Sequence, residues 1–212
     1  MPEVEHVTHR EHRFLTQDPT WLLSELLKHG KPIVYRNDTT RVDTDYYDTE
    51  HGWRTKETPY KVRHRRYDGE DGYLEIKFHK EGETEKWRVK SPEPEKILKG
   101  EVQWDILRKL VPEGRFEKVL GVSYQRTAFD FKGIRVTVDE DVTYNGIVTM
   151  PKAILEVKDV GKVPQWLKEI CESCERTYLS KSRRGLLMLP KERVPIGIPV
   201  KFVYVNSPGA QS

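Results

Sequence analysis

The sequence predicts an α+β fold of antiparallel strands flanked by amphipathic helices, in which the strands either close around a polar lumen or lie open with one face in water. Three observations carry that expectation. Short strand-like pieces alternate apolar with ionic side chains, and three other stretches carry apolar residues at helical spacing. Charged residues make up 33% of the 212, yet 37 Lys plus Arg against 34 Asp plus Glu leave a formal charge of only +3, so the charges must be sorted by position. The length suits one domain, assigned to residues 1–190, with 191–212 as a tail or edge strand. An aromatic content of 10% argues against disorder, and no run approaches the roughly 20 apolar residues of a membrane span. The polar, histidine-rich opening from Met1 to Arg13 has no signal-peptide pattern, and Cys171 and Cys174 form no disulfide framework, so the expected location is the cytoplasm.

In chain order, Glu11 and Arg13 open the first strand with an acid and a base on one face. A helix begins at Asp18-Pro19, an N-cap acceptor before a proline whose missing N–H costs nothing there, and runs through Trp21, Leu22, Leu23, Leu26 and Leu27 to Gly30. In Tyr60 to Tyr67, Arg63 and Arg65 share a face; in Tyr73 to His79, Glu75 and Lys77 oppose Leu74, Ile76 and Phe78. Lys86, Arg88 and Lys90 alternate with Trp87 and Val89. A second helix follows Pro92 and Pro94, with Ile97, Leu98, Val102, Ile106, Leu107 and Leu110 as its stripe. Arg135, Thr137 and Asp139 then alternate with Ile134, Val136 and Val138, and Glu156 and Lys158 with Leu155 and Val157. The third helix follows Pro164 through Trp166, Leu167, Ile170 and the two cysteines.

An open sheet with helices on one face and water on the other satisfies the same alternation. A closed barrel, apolar outside under the helices and ionic inside, explains one thing more. A wet surface needs only mixed polar residues, whereas repeated Arg and Lys at i, i+2 repel one another by roughly 1 to 4 kcal/mol per close pair, a cost that a bound polyanion removes.

The run Ser123-Tyr124-Gln125-Arg126-Thr127-Ala128-Phe129, followed by Ile134 to Asp139, Ile154 to Lys158 and Leu179-Ser180-Lys181, resembles the VTC-type polyphosphate polymerase domain of the triphosphate tunnel metalloenzyme, or CYTH-like, superfamily. Glu11 to Phe14, Asp45 to Thr49, Val62 to Tyr67, Leu74 to Lys77 and Lys86 to Arg88 fit in the same order, so the resemblance spans about Glu11 to Arg184. It implies an α+β fold with an antiparallel closed tunnel of about eight strands and a polar lumen, flanked by amphipathic helices, that binds a triphosphate with a divalent metal, Mn2+ or Mg2+, and transfers the γ-phosphate of ATP to a growing polyphosphate chain. On that resemblance the catalytic positions are Arg63, Arg65, Lys77, Arg126, Arg135 and Lys158, the further substrate-binding positions Arg13, Lys86, Arg88 and Lys181, and the metal-binding carboxylates Glu156 and Glu11.

The chemistry is consistent with such a set. Phosphoryl transfer spreads charge over non-bridging oxygens, so the protein mainly positions and neutralises; arginine offers a planar fork and lysine a compact charge. A terminal phosphate oxygen of the acceptor is already ionised, so no protein base is required. Hydrolytic tunnel enzymes commonly carry an E-x-E-x-K first strand, whereas here His9, Glu11 and Arg13 stand at those positions and Lys158 follows Glu156. Fewer acids and more bases favour transfer between polyanions over hydrolysis of tripolyphosphate or a nucleoside triphosphate. A non-catalytic polyphosphate or inositol phosphate binding module remains a reading from another class. The expected partners are ATP and polyphosphate; a charge of +3 offers nucleic acid little attraction, and any membrane translocation would need another protein. Cys171-Glu172-Ser173-Cys174 is expected to be helix-buried thiols rather than half a metal site, and His6, His9 and His12 to fall on a strand.

Overall fold

Period-two apolar residues fold as strands throughout, and the computed structural model, which describes residues 4–33, 40–49, 60–80, 83–111, 115–159 and 162–189, joins them in one sheet. The elements in chain order are β1 (Val4–Thr16), α1 (Pro19–Leu27), β2 (Thr40–Asp48), β3 (Tyr60–Tyr67), β4 (Tyr73–Lys80), β5 (Glu83–Lys90), α2 (Pro94–Leu98), α3 (Asp105–Leu110), β6 (Glu117–Phe131), β7 (Ile134–Tyr144), β8 (Val148–Thr149), β9 (Ala153–Asp159), α4 (Gln165–Glu172), β10 (Glu175–Thr177) and α5 (Lys181–Met188). The tail expected at 191–212 lies outside the described residues, as do the side chains of His6 and His9.

All pairings are antiparallel, in the order β10-β1-β5-β4-β3-β2-β6-β7-β8, and β9 pairs both β1 and β7. The ladders therefore form a circuit through β1, β5, β4, β3, β2, β6, β7, β9 and back to β1; the ten-stranded total exceeds the expected eight because the short β8 and β10 are attached outside it. The circuit is staggered at β1, which pairs β5 through residues 4–9 and β9 through 10–16.

Burial separates this arrangement from an open sheet. A water-facing ionic side would be exposed, yet Arg63 is 6% exposed, Arg65 6%, Glu75 1%, Lys77 8%, Arg126 5%, Asp139 0% and Glu156 5%. Residues of the opposite parity pack under helices. Val62, Leu74, Ile76 and Val89 meet Ile97 and Leu107 of α2 and α3, while Phe129, Val136, Val138, Leu155 and Val157 meet Leu22, Leu26, Leu167 and Ile170 of α1 and α4. A third cluster lies on the inward parity instead: Val42, Leu120, Val122 and Tyr144, which share the face of Thr44 and Tyr46, meet Leu186 of α5 at one end of the inner face.

The helix starts follow local rules. Asp18 Oδ1 accepts the Trp21 N–H at 2.8 Å with Pro19 in the first turn, and Ser180 caps α5 by accepting the Arg183 N–H at 3.4 Å. The second expected helix is instead two, α2 and α3, because Gly100 adopts φ 80°, a left-handed conformation that ends a helix. Helix α5 had no expected counterpart beyond the Ser180-Lys181 motif. Among the described residues no helix is long and apolar enough to cross a membrane.

Gly185 allows α5 to lie against the sheet, since a Cβ there would stand 2.5 Å from Tyr144 Cδ1 and 3.1 Å from Leu120 Cδ2. Tyr144 is 0% exposed and has no room to withdraw. Gly185→Ala gains helix propensity but overpacks this contact, so a net loss of about 1 to 2 kcal/mol and a fall in Tm of about 2 to 6 °C are expected by calorimetry. An unchanged or raised Tm would show that the contact yields.

Candidate active site: a basic lumen closed by its own ion pairs

Successive inward positions of β3, namely Lys61, Arg63, Arg65 and Tyr67, run along the lumen, and the neighbouring strands add Glu75 and Lys77 from β4, Tyr124 and Arg126 from β6, Asp139 from β7, Glu156 and Lys158 from β9 and Glu11 and Arg13 from β1. Lys181 enters from the first turn of α5. Among the described residues nine bases, Arg13, Lys61, Arg63, Arg65, Lys77, Lys86, Arg126, Lys158 and Lys181, thus share the four carboxylates Glu11, Glu75, Asp139 and Glu156.

The carboxylates are fully engaged. Glu75 accepts Arg63 Nε at 2.6 Å and lies 3.6 Å from Lys86 Nζ. Asp139 accepts Arg126 Nε and Nη2 at 2.6 and 2.8 Å in a bidentate fork, and Lys181 Nζ lies 2.6 Å from Oδ2. Glu156 holds Lys181 at 2.5 Å, Arg126 at 3.4 Å and Arg13 at 3.5 Å. Glu11 holds Arg13 and Lys77, each at 3.0 Å. The bases have less. Arg65 Nε donates to Thr44 Oγ1 at 3.2 Å, and Lys61 Nζ donates to Ser180 Oγ at 2.8 Å.

The electrostatics follow that imbalance. Burial pushes the Glu75 carboxyl up, but Arg63, Arg65 and Lys86 together hold it well below the usual carboxylate range. Glu156 is likewise lowered, its burial and the nearby Glu11 outweighed by Lys181, Arg126 and Lys158. Burial brings Lys158 down to about 7 despite Glu11 and Glu156, and lowers Lys61 strongly with help from Lys77, Arg13 and Arg183. Lys181 goes the other way: Asp139 and Glu156 overcome its burial and raise it. Such a lumen favours an anion, which would satisfy bases that the four carboxylates leave in excess.

Space divides the expected site in two. Around Glu11, Arg13, Arg63, Arg65, Lys77, Glu156, Lys158 and Lys181 the free volume is about 30 Å³, enough for one water. Towards the far end of the same inward face, a vestibule of about 500 Å³ is lined by Arg88, Arg126 and Arg135 with Tyr67, Tyr73 and Lys90. Arg135 and Arg88 therefore lie at the mouth rather than in the narrow centre; Arg135 Nε is buried with no hydrogen-bond partner among the described residues. Lys86 sits between, bound to Glu75. Sequence reasoning set Glu75 and Asp139 on the ionic faces and Ser180 in a motif without giving them a role in the site, and it passed over Lys61. Parity alone could have found Lys61, two residues before Arg63.

A divalent cation would find two carboxylates facing one space, Glu11 and Glu156, bridged by Arg13. Among the described residues no group of three or more His, Cys, Asp or Glu forms a cage. The donor set fits a hard cation that takes most of its ligands from phosphate and water. The cysteines belong elsewhere: Cys171 is buried on α4 and Cys174 partly buried just beyond it.

Two outcomes test this electrostatic picture. Asp139→Asn strands Arg126 and Lys181 in a dry interior and is expected to lower unfolding free energy by about 3 kcal/mol in a denaturant titration; a loss under about 1 kcal/mol would show that water reaches the lumen freely. Burial pushes the Cys171 thiol up to about 12, so it is protonated at pH 8 and folded protein should retain it through an iodoacetamide incubation that alkylates it in urea.

Comparisons with known proteins agree with this architecture. A family model for the VTC domain matches residues 9–184. A Bacillus halodurans structure described as a candidate adenylate cyclase is 16% identical, with 84% of this chain and 97% of that one aligned at a TM-score of 0.64. A Hippeastrum structure, of a candidate adenylyl cyclase with a dominant triphosphatase activity, is 18% identical over 86% of this chain and 97% of that one, at a TM-score of 0.59. The Pyrococcus horikoshii protein PH1819 is 16% identical over 84% and 95%, at a TM-score of 0.53. Identities this low speak for the fold alone, and comparison with curated proteins returns no match. The family model, however, covers most of the 212 residues and takes in all of the circuit except the first five residues of β1, 4–8; the chain belongs to the VTC domain family.

Proposed function

We propose that this protein is an ATP–polyphosphate phosphotransferase, which passes the γ-phosphate of ATP to the end of a polyphosphate chain held in the lumen. The observation that carries this reading is the ratio inside the tunnel: among the described residues the bases lining it outnumber the carboxylates by more than two to one, and each carboxylate is tied to bases. A site built to activate water with metals needs carboxylates to spare.

Arg63 and Arg65 lie side by side along β3, and Arg126 faces them with Lys181 beyond; a phosphate chain lying between would exchange Glu75, Asp139 and Glu156 for its own oxygens as counter-charges. These cations would spread over the equatorial oxygens of the transferring group and hold donor and acceptor phosphates in line. Lys158, buried and lowered to about 7, would regain full charge beside a phosphate. Lys77 and Arg13 keep Glu11 and Glu156 aimed at the same space. A Mn2+ or Mg2+ ion, when bound, would be held by Glu11 and Glu156 and would offset phosphate charge. The attacking oxygen belongs to the acceptor and is already ionised, so the chain supplies no base.

A triphosphatase of the same fold is the second reading, favoured by the dominant triphosphatase activity of the Hippeastrum neighbour. One assay separates them. Purified protein with ATP and Mn2+ should form chains longer than triphosphate on a polyacrylamide gel; orthophosphate as the sole product would replace the first reading with the second. Glu156→Gln should slow turnover by about 100-fold while tripolyphosphate still binds, whereas Arg63→Glu should remove binding and turnover together. Tripolyphosphate binding without turnover of any kind would point to a binding module.

A further inference from the structure

On the outer side of the tunnel wall, away from the lumen, a concave pocket of about 420 Å³ lies between α4 and the strands β1, β9 and β10. Parity builds it. His12 and Phe14 point outward from β1, Val157 stands beside His12 across the β1–β9 ladder, and Arg176 of β10 stands opposite Phe14. Helix α4 supplies the other wall with Lys168, Cys171 and Glu172, which its period brings to one side.

The floor is apolar. Val157 and Cys171 are buried, Phe14 and Val163 are partly exposed, and Cys174 lies just past the end of α4. Burial raises both thiols, Cys171 up to about 12, so each is a neutral, hydrophobic surface near pH 7. Close packing normally leaves few voids larger than a water. This pocket instead has the volume of a small-molecule site, and at about 30 Å³ per water-sized group it takes on the order of ten heavy atoms. The rim has the opposite character: Lys168 and Arg176 against Glu172 leave it positive whatever the state of His12. Both bases are exposed, and the Arg176 guanidinium lies 5.2 Å from the centroid of the Tyr178 ring.

We infer that this pocket binds an amphipathic anion, a free monocarboxylate on a medium-length aliphatic chain. The chain would lie on Phe14, Val157 and Val163, with the carboxylate at Lys168 and Arg176. Inorganic phosphate has no use for such a floor, and a neutral hydrocarbon has none for such a rim. The inward residues of the same two strands are Glu11, Arg13, Glu156 and Lys158, so the occupant sits behind the lumen wall rather than in the lumen. The inference does not depend on the phosphotransferase reading.

The test is calorimetry with octanoate at pH 8, paired with the rate at which a maleimide labels Cys174 in folded protein, read by peptide mass. Octanoate should bind and slow that labelling, and tripolyphosphate should not displace it. Hexanoate should bind about tenfold more weakly, as two fewer buried methylenes predict. 1-Octanol should bind about fivefold more weakly than octanoate, the worth of an exposed ion pair. Lys168→Glu with Arg176→Glu should erase the advantage of octanoate while 1-octanol binding persists, which also verifies that the variant is folded. Arg176→Gln, a milder change at an exposed position, should remove part of it. Absence of octanoate binding, or binding that leaves Cys174 labelling unchanged, would overturn the site. Displacement by tripolyphosphate would overturn it too, by placing octanoate in the lumen. Affinity independent of chain length, or unaltered in both variants, would overturn the assignment of floor and rim. Protection of Cys174 by phosphatidylglycerol vesicles but not by octanoate would replace the free ligand with a membrane surface.

Discussion

Asp139 and Glu156 are the anchors on which the interior depends. Between them they hold Arg126 from β6, Lys181 from α5 and Arg13 from β1, so two carboxylates on adjacent strands bind five separate segments around one space. Without such pairing, bases this close and this buried would repel one another and lose their hydration, and the strands carrying them could not face inward. Polar anchoring and apolar packing act on alternate residues of the same strands. Val138 and Leu155 fix the outer layer under α1 and α4, and Asp139 and Glu156 fix the inner one.

The same anchoring defines what a ligand must do. Binding in the narrow stretch cannot fill a preformed cavity, because little is there; it must exchange internal ion pairs for pairs with phosphate. The exchange is favourable where bases are in excess, as around Lys61, Arg65 and Lys158, and closer to neutral where a fork such as Arg126 with Asp139 has to loosen. Neutral molecules bring no counter-charge and have no means of opening the lumen, so discrimination against them is built into the closed state. The wider mouth, at Arg88 and Arg135, already holds about 500 Å³ and asks for no such exchange.

Much of this was legible from period two. Arg63 and Arg65, Glu75 and Lys77, and Glu156 and Lys158 announce an ionic face because a strand cannot place them elsewhere, and the Asp18-Pro19 start of α1 follows from capping chemistry. Three things were not legible. The break at Gly100 depends on a conformation that glycine permits but does not compel. Helix α5 mixes basic residues with a glycine and shows only a weak stripe, because its role is to insert Lys181 on one side and to press Gly185 on Tyr144 at the other. The place of Arg135 along the lumen depends on the stagger of neighbouring strands, which alternation does not encode.

That stagger has a temporal meaning. Strand β1 completes the circuit by pairing β9, whose residues lie some 140 positions further along the chain, and also β10. Contacts of such long range are slow to form, because a large loop must close before any of them is gained. During synthesis, β2 to β5 can pair neighbour by neighbour and β6 with β7, joined by the longer-range pairing of β2 with β6, while the first strand waits for its last partner to emerge. The basic lane is therefore laid out on an open sheet in water before it is enclosed, and a polyanion present in the cell meets the nascent protein in a form that needs no ion pairs broken to receive it.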